Sequence, residues 1–139
     1  MDITQIPKDD SLKSIKVREG IIREFYREWK VNNPSQKTYN VYLQDYIYIR
    51  MVSVVETSEH AAKNYLSTIA VMQMDSILAG SKKISIQKTK PNNKNQKSFE
   101  KIMIMEYVLP FIGRVKMTVG IRRRTREKVL YCITVISNK

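Results

Sequence analysis

The segment from Ile112 to Ile136 constrains the fold of this chain more than any other stretch. Its first half alternates polar side chains with the apolar residues Val115, Met117, Val119 and Ile121. Its second half, from Val129 to Ile136, is apolar on both faces apart from Thr134. Period-2 alternation is typical of a strand with one buried face, and a continuous apolar run is typical of a strand inside a sheet. The segment therefore predicts a β-hairpin whose return strand lies in the sheet interior.

Positive charge is concentrated on this predicted hairpin. Its cations are Arg114, Lys116, Arg122, Arg123, Arg124, Arg126 and Lys128. Arginine binds phosphate groups bidentately and stacks on nucleobases. The cluster predicts binding to a phosphate backbone, with no pattern that would select a base sequence. The alternative is a solvated hairpin tip whose charges discourage pairing between sheet edges.

The charge of the whole chain is also uneven. The net charge is +12 over 139 residues. Residues 1–70 hold ten Lys/Arg and nine Asp/Glu, whereas residues 71–139 hold fifteen and four. A strongly basic half is typical of proteins that bind polyanions, although such charge also simply favours solubility. The asymmetry favours a polyanionic partner.

Residues 81–98 form a second basic segment, with six lysines and neither an acid nor, up to Ser98, an aromatic residue. This composition predicts a basic mobile loop, with Ile84 and Ile86 as a brief edge strand. The cations that it could offer to a polyanion are Lys82, Lys83, Lys88 and Lys90. The alternative is disorder in which the charges only maintain solubility.

The N-terminal part predicts two helices after a lead-in over residues 1–10. Apolar residues at helical spacing, beginning at Leu12 and ending at Trp29, predict a helix over residues 11–30. A largely apolar second helix is predicted from Thr57 or Ser58 to Leu78, ended by Gly80.

Two segments are compatible with either strand or helix. Residues 37–56 favour strand through their Tyr, Ile and Val content, with a break near Gln44–Asp45. In that reading Tyr42, Tyr46 and Tyr48 share one face with Gln44 and Arg50. Such a face could stack nucleobases, but we expect instead that a helix packs over the rings. Residues 99–109 fit a strand buried on both faces or a short helix capped by Ser98.

Together these patterns predict a single α+β domain over residues 1–139, with two main helices packed on an antiparallel sheet that ends in the C-terminal hairpin. The lone Cys132 excludes an intramolecular disulfide, so we expect a reduced, cytoplasmic protein. The sequence also lacks the patterns of a signal peptide and of a membrane span, so no membrane association is expected.

Metal and cofactor chemistry is not indicated by the sequence. The single histidine, His60, and Cys132 do not belong to a ligand-spaced cluster, and the four glycines are isolated. We interpret His60 as a solvated residue at a helix start and Cys132 as an inert buried thiol. Acids are too sparse in residues 71–139 for a two-metal nuclease. No metal and no cofactor are expected.

Three functions follow from these features. The first is a non-catalytic nucleic-acid-binding module. The second is a metal-independent ribonuclease, because the predicted architecture and charge resemble those of small basic toxins of the RelE and barnase-like group. That resemblance implies roles for Arg114, Lys116, Arg122 and Tyr131 in phosphate binding and proton transfer. The third is an interaction domain that binds an acidic protein partner.

Overall fold

The computed structural model describes residues 5–90 and 92–136. These residues form an α+β fold of four α-helices and one six-stranded sheet. The helices are α1 (Leu12–Asn32), α2 (Met51–Ala61), α3 (Tyr65–Val71) and α4 (Met74–Gly80). The strands are β1 (Lys37–Asn40), β2 (Asp45–Tyr48), β3 (Lys82–Lys88), β4 (Phe99–Leu109), β5 (Gly113–Arg122) and β6 (Lys128–Val135).

Helix α1 confirms the amphipathic helix predicted near residues 11–30. Ser11 caps it, since the Ser11 hydroxyl accepts a hydrogen bond from the Ser14 backbone N–H at 3.2 Å. The apolar stripe places Ile22, Tyr26 and Trp29 in the core. The periodicity of the sequence is therefore realised as burial of one helix face.

The prediction of two main helices is wrong, because four are present among the described residues. Residues 51–56, predicted as strand, form the start of α2, where the backbone N–H of Arg50 donates to the Ser53 hydroxyl at 3.0 Å. The predicted second helix is also divided. Asn64 interrupts it and caps α3 by accepting a hydrogen bond from the Ser67 backbone N–H.

The predicted sheet is antiparallel, whereas the observed sheet is mixed. Its strand order is β1-β2-β6-β5-β4-β3, and β2 pairs with β6 in parallel while the other neighbours are antiparallel. This parallel pair joins residues about 80 positions apart, Ile47 with Lys128 and Tyr48 with Val129. No local pattern encodes such a pairing.

The C-terminal hairpin is confirmed. Strands β5 and β6 pair antiparallel from Val115–Val135 to Ile121–Lys128, and β6 lies between β2 and β5, inside the sheet. Residues 99–109 form a strand, which settles the alternative left open by their sequence. The edge strand predicted at Ile84 and Ile86 is confirmed as β3. Because β3 covers seven residues, Lys82–Lys88, residues 81–98 are not a loop throughout.

The sheet has one face in the main core and a smaller buried cluster on its other face. Met105, Met117 and Ile133 are fully buried in a cluster that includes residues of all four helices. On the opposite face, a smaller cluster joins Phe99, Ile102, Val129, Tyr131 and Cys132. Among the described residues, no helix is long and apolar enough to cross a membrane.

Candidate functional site

A cleft of about 330 Å³ lies on the face of the sheet that carries the smaller cluster. The strand register explains its floor. Ile104 pairs with Thr118, Thr118 pairs with Cys132, and Lys116 pairs with Thr134. Because directly paired residues project to the same face, these side chains form one surface across β4, β5 and β6. It is the face predicted from the sequence to carry the polar residues of the hairpin.

Two segments that are distant in sequence form the walls of the cleft. One wall is the second half of α2, which contributes Glu56 and His60. The other wall is the end of β3 and the turn after it, which contribute Lys88, Lys90 and several side-chain amides. These amides belong to Gln87, Asn93 and Gln96. The cleft is therefore lined by cations and neutral hydrogen-bonding groups, with one buried carboxylate.

Tyr131 and Glu56 lie at the centre of a hydrogen-bonded group. Glu56 is only 4% exposed, and its carboxylate Oε1 lies 3.8 Å from His60 Nε2. Burial and a hydrogen bond to Glu56 raise the pKa of Tyr131 to about 12. The Asn93 amide donates to the Tyr131 hydroxyl at 3.3 Å. Tyr131 is therefore neutral and able to donate a proton throughout the physiological range.

Cys132 lies on the floor of the cleft. It is 8% exposed, and its thiol donates to the Glu56 carbonyl at 3.7 Å. Burial raises the pKa of the Cys132 thiol to about 12. The thiolate, which is the nucleophilic form, is thus scarce at neutral pH, in agreement with the interpretation of Cys132 as an inert buried thiol.

The lysines of the cleft differ from most hairpin cations in their partners. Lys88, Lys90 and Lys116 form no ion pair with any carboxylate of the described residues. Lys116 pairs in register with Glu106, but Arg114 holds that carboxylate through contacts of 2.9 and 3.1 Å. No carboxylate of the described residues therefore competes with a ligand for these three ammonium groups.

Four of the predicted hairpin cations are ion-paired. Arg114 binds Glu106, Arg122 approaches Glu127 at 3.5 Å, Arg126 binds Glu100, and Lys128 binds Asp45 at 2.6 Å. The Lys128 ammonium lowers the pKa of the Asp45 carboxyl. These ion pairs reduce the positive charge that the hairpin offers to a ligand. The number of arginines in the sequence does not reveal this reduction.

Arg123 and Arg124 remain without a carboxylate partner among residues 5–90 and 92–136. They line a second depression at the hairpin tip together with Ser98. The Arg123 backbone N–H donates to the Ser98 carbonyl at 3.2 Å. The segment that walls the cleft therefore also contacts the tip, so these two cationic surfaces are neighbours.

The remaining predicted cations lie away from the cleft. Lys82 and Lys83 are at the start of β3, and the Lys82 ammonium lies 4.8 Å from the centre of the Tyr42 ring. Of the eleven binding residues predicted from sequence, three line the cleft, namely Lys88, Lys90 and Lys116.

Sequence reasoning missed Glu56 and misplaced His60. His60 lies in the last turn of α2, not at a helix start, because the helix begins at Met51. The four-residue spacing of Glu56 and His60 puts both on one helix face, and this signal becomes visible once the helix start is known.

One group of His, Cys, Asp or Glu side chains in the described ranges is close enough to share a cation. It consists of Glu56, Glu59 and His60, whose candidate ligand atoms lie within 4.8 Å of one another. Two of these side chains are exposed, and exposed acidic groups are common on helices. The grouping alone does not define a metal site.

Comparison of the chain with protein-family models, with curated proteins and with solved structures finds no match. The geometry of the cleft and its surroundings is therefore the basis for a functional assignment.

Proposed function

We propose that this protein binds nucleic acid, with phosphate groups seated in the cleft. The observation that carries the proposal is the convergence of Lys88, Lys90 and Lys116, without acidic partners among the described residues, on one concave surface. Cations that are not neutralised by protein carboxylates can replace the counterions of a phosphate backbone, which drives association through counterion release.

A polymeric ligand is favoured over a small anion. The cleft is open, and its cationic surface continues through the backbone contact of Ser98 to Arg123 and Arg124. The side-chain amides of the wall add donors and acceptors for sugars or base edges. Such a continuous strip suits a chain of phosphates better than a single one.

The test is a triple substitution, Lys88→Gln, Lys90→Gln and Lys116→Gln. Binding of labelled single-stranded RNA and DNA is measured by fluorescence anisotropy at several salt concentrations. We expect the dependence of log K on log salt to become shallower by about 2, because each single-strand phosphate contact contributes about 0.7. Affinity at low salt falls at least tenfold.

A matched control carries Lys13→Gln, Lys16→Gln and Lys63→Gln, three exposed lysines elsewhere that form no ion pair with described residues. This variant has the same net charge as the triple cleft variant and should bind nearly as the wild type. Equal losses in both variants would show that only net charge matters and would contradict a specific cleft. Failure of the wild type to bind at low salt would exclude the function.

A second function, metal-independent cleavage of RNA, is supported by the pairing of Glu56 with His60 beside the lysines. In this reading the His60 imidazole, 3.8 Å from the Glu56 carboxylate, accepts the proton of a ribose 2′-hydroxyl as the hydroxyl oxygen attacks the adjacent phosphorus. Lys116 stabilises the added negative charge. Tyr131 gives its proton to the departing 5′-oxygen, so a 2′,3′-cyclic phosphate and a free 5′-hydroxyl form. Lys116 and Tyr131 are also candidates implied by the resemblance to the basic toxins, whereas Arg114 and Arg122 lie outside the cleft.

Cleavage is tested by incubating RNA with the protein in EDTA. We expect fragments with cyclic phosphate ends, lost in His60→Gln but retained in Lys63→Gln. Because EDTA removes divalent ions, cleavage that disappears in EDTA would instead implicate a cation. Binding without cleavage would support the non-catalytic module. If the protein neither binds nor cleaves RNA, the function that binds an acidic protein partner would be favoured.

A further inference from the structure

The hairpin formed by β1 and β2 has an aromatic face that points away from the core. The register pairs Tyr39 with Tyr46 and Lys37 with Tyr48, so these four side chains share one face. The opposite face is anchored by Asn40 and Ile47, both fully buried. Tyr39 is 45% exposed and Tyr46 is 41% exposed. The expectation that a helix covers the face of Tyr42, Tyr46 and Tyr48 is therefore wrong for Tyr46, and the strand register adds Tyr39 to that face.

The two exposed rings form a defined pair. Their centroids are 5.4 Å apart and their planes meet at 76°, an edge-to-face arrangement that fixes both orientations. This geometry limits side-chain motion, so little conformational entropy remains to be lost when a planar group stacks on the exposed surface.

Cations lie close to Tyr46 and to its neighbour Tyr48. The Lys37 ammonium is 4.4 Å from the centre of the Tyr46 ring and 5.7 Å from that of Tyr48. The Arg50 guanidinium is 4.8 Å from the centre of the Tyr48 ring. Exposed aromatic rings that alternate with cations provide both stacking surfaces for bases and charge for phosphates.

The aromatic face is connected to the proposed phosphate site by a series of contacts. Arg50 binds Glu127 at 2.9 Å, and Arg122 approaches the same carboxylate. The Arg122 guanidinium lies 5.6 Å from the centre of the Phe99 ring. Phe99 in turn packs edge-to-face on Tyr131, which lines the cleft. The β1–β2 face, the hairpin tip and the cleft thus follow one another across neighbouring strands.

We propose that the β1–β2 face is a base-stacking site for single-stranded nucleic acid, on which unpaired bases stack against Tyr39 and Tyr46. The inference rests on the proposed function, because the phosphates of the same strand occupy the cleft and the hairpin tip. The stacking site narrows the ligand from nucleic acid in general to single strands, because stacking on an exposed ring requires bases that are not enclosed in a duplex. The two tyrosines bind any base, so little sequence preference is expected.

The test combines the double variant Tyr39→Leu, Tyr46→Leu with four probes. These are oligo-dT and oligo-U of about 16 nucleotides, near the upper site size of single-strand-binding folds, a duplex of the same length, and inorganic polyphosphate, which has charge but no bases. Leucine keeps apolar bulk while it removes the aromatic face. The matched control is Tyr65→Leu, which removes a ring on α3 whose nearby cation, Lys8, lies 5.6 Å from the ring centre.

We expect the double variant to bind both oligonucleotides at least about fivefold more weakly for each stacked ring. Polyphosphate binding should be unchanged, Tyr46→Phe should retain affinity, and the wild type should prefer single strands to duplex. Unchanged oligonucleotide binding in the double variant, or equal affinity for duplex, would overturn the stacking site while leaving phosphate binding in the cleft intact. Absence of any nucleic-acid binding by the wild type would overturn both proposals.

The two oligonucleotides separate RNA from DNA as the source of the unpaired bases. A preference for oligo-U would indicate contacts to the ribose 2′-hydroxyl, which only RNA carries. Equal affinity for both would indicate that stacking and phosphate charge account for binding. Either result supports the site, provided that affinity depends on Tyr39 and Tyr46.

Discussion

The Cys132 thiol lines a cleft and is nevertheless poorly suited to react. It is 8% exposed, and its pKa is raised to about 12. We predict that Ellman's reagent labels the native protein at pH 8 at least tenfold more slowly than the unfolded protein in guanidinium chloride. Native labelling as fast as unfolded labelling would contradict this environment. Protection by oligonucleotide would further indicate that the ligand covers the cleft floor.

Replacing either of two glycines by alanine should change the stability of the protein, but in opposite directions. A Cβ at Gly120 would lie 2.6 Å from the Phe99 ring, whereas one at Gly20, on the exposed side of α1, would meet nothing within 4 Å. We predict that Gly120→Ala lowers the free energy of unfolding by about 1–3 kcal/mol, because Phe99 must move. Gly20→Ala should raise it by about 1 kcal/mol through helix propensity.

Urea denaturation followed by far-ultraviolet circular dichroism measures both changes. Because Phe99 also packs on Tyr131, Gly120→Ala should additionally weaken oligonucleotide binding. A neutral Gly120→Ala would show that the Phe99 ring can shift without cost.

At the scale of elements, the sequence predicts structure well where periodicity is long and local. The α1 stripe and the alternation in β5 are examples, since both patterns extend over several turns or residue pairs. The prediction of a strand over residues 51–56 is wrong, although Val52, Val54 and Val55 favour strands. These residues form a helix because α2 packs against β6, and such tertiary contacts override the local preference. The start of α3 is recognisable in the sequence, because Asn64 is a residue type that caps helices and its side chain does cap α3. The start of α4 is not, because Gln73 makes no side-chain cap.

The hairpin tip allows a prediction about which of its arginines bind a ligand. Arg123 and Arg124 are free of ion pairs with described residues, whereas Arg122 and Arg126 contact Glu127 and Glu100. We predict that Arg123→Gln with Arg124→Gln makes the salt dependence of binding shallower by about 1.4, from two lost single-strand contacts. Arg122→Gln with Arg126→Gln, which removes the same charge, should have a smaller effect.

The comparison is made by anisotropy with the oligonucleotides used for the cleft. Equal effects of the two pairs would show that the ion pairs open when ligand binds. No effect of either pair would place the binding surface away from the tip and restrict it to the cleft.

At the scale of the whole molecule, the candidate site could be predicted only in part. Charge counts located the excess of cations in residues 71–139, where Lys88, Lys90 and Lys116 lie. Their convergence with Glu56 and Tyr131 depends on the register of β4–β6 and on the packing of α2 against β6. These are contacts between residues up to about 80 positions apart, which periodicity and composition do not encode. The ion pairs of Arg114, Arg122 and Arg126 join residues only 8, 5 and 26 positions apart, and they depend on the turns and registers that connect β4, β5 and β6.

The buried ionisable groups lead to a prediction for the stability of the whole molecule at alkaline pH. Burial raises the pKa of Tyr131 from 10.0 to about 12 and that of Cys132 from 9.0 to about 12. Both groups ionise more readily in the unfolded chain. Their contribution to stability is therefore complete below the unfolded pKa and is lost as pH rises toward 12. For Tyr131 alone the loss is roughly 2 kcal/mol.

The net charge of the chain, +12 at pH 7, also changes at alkaline pH, so the wild-type curve alone does not isolate Tyr131. Tyr131→Phe removes the complication, since the variant has the same lysines and lacks only the phenol. We predict that the free energy of unfolding, measured with urea between pH 8 and 12, falls less steeply for Tyr131→Phe than for the wild type above pH 10. Below pH 9 the two curves should run parallel, offset by the hydrogen bonds that the Tyr131 hydroxyl makes with Glu56 and Asn93. Parallel curves up to pH 12 would mean that Tyr131 ionises equally easily in the folded and unfolded chain, which is incompatible with a buried phenol beside a carboxylate.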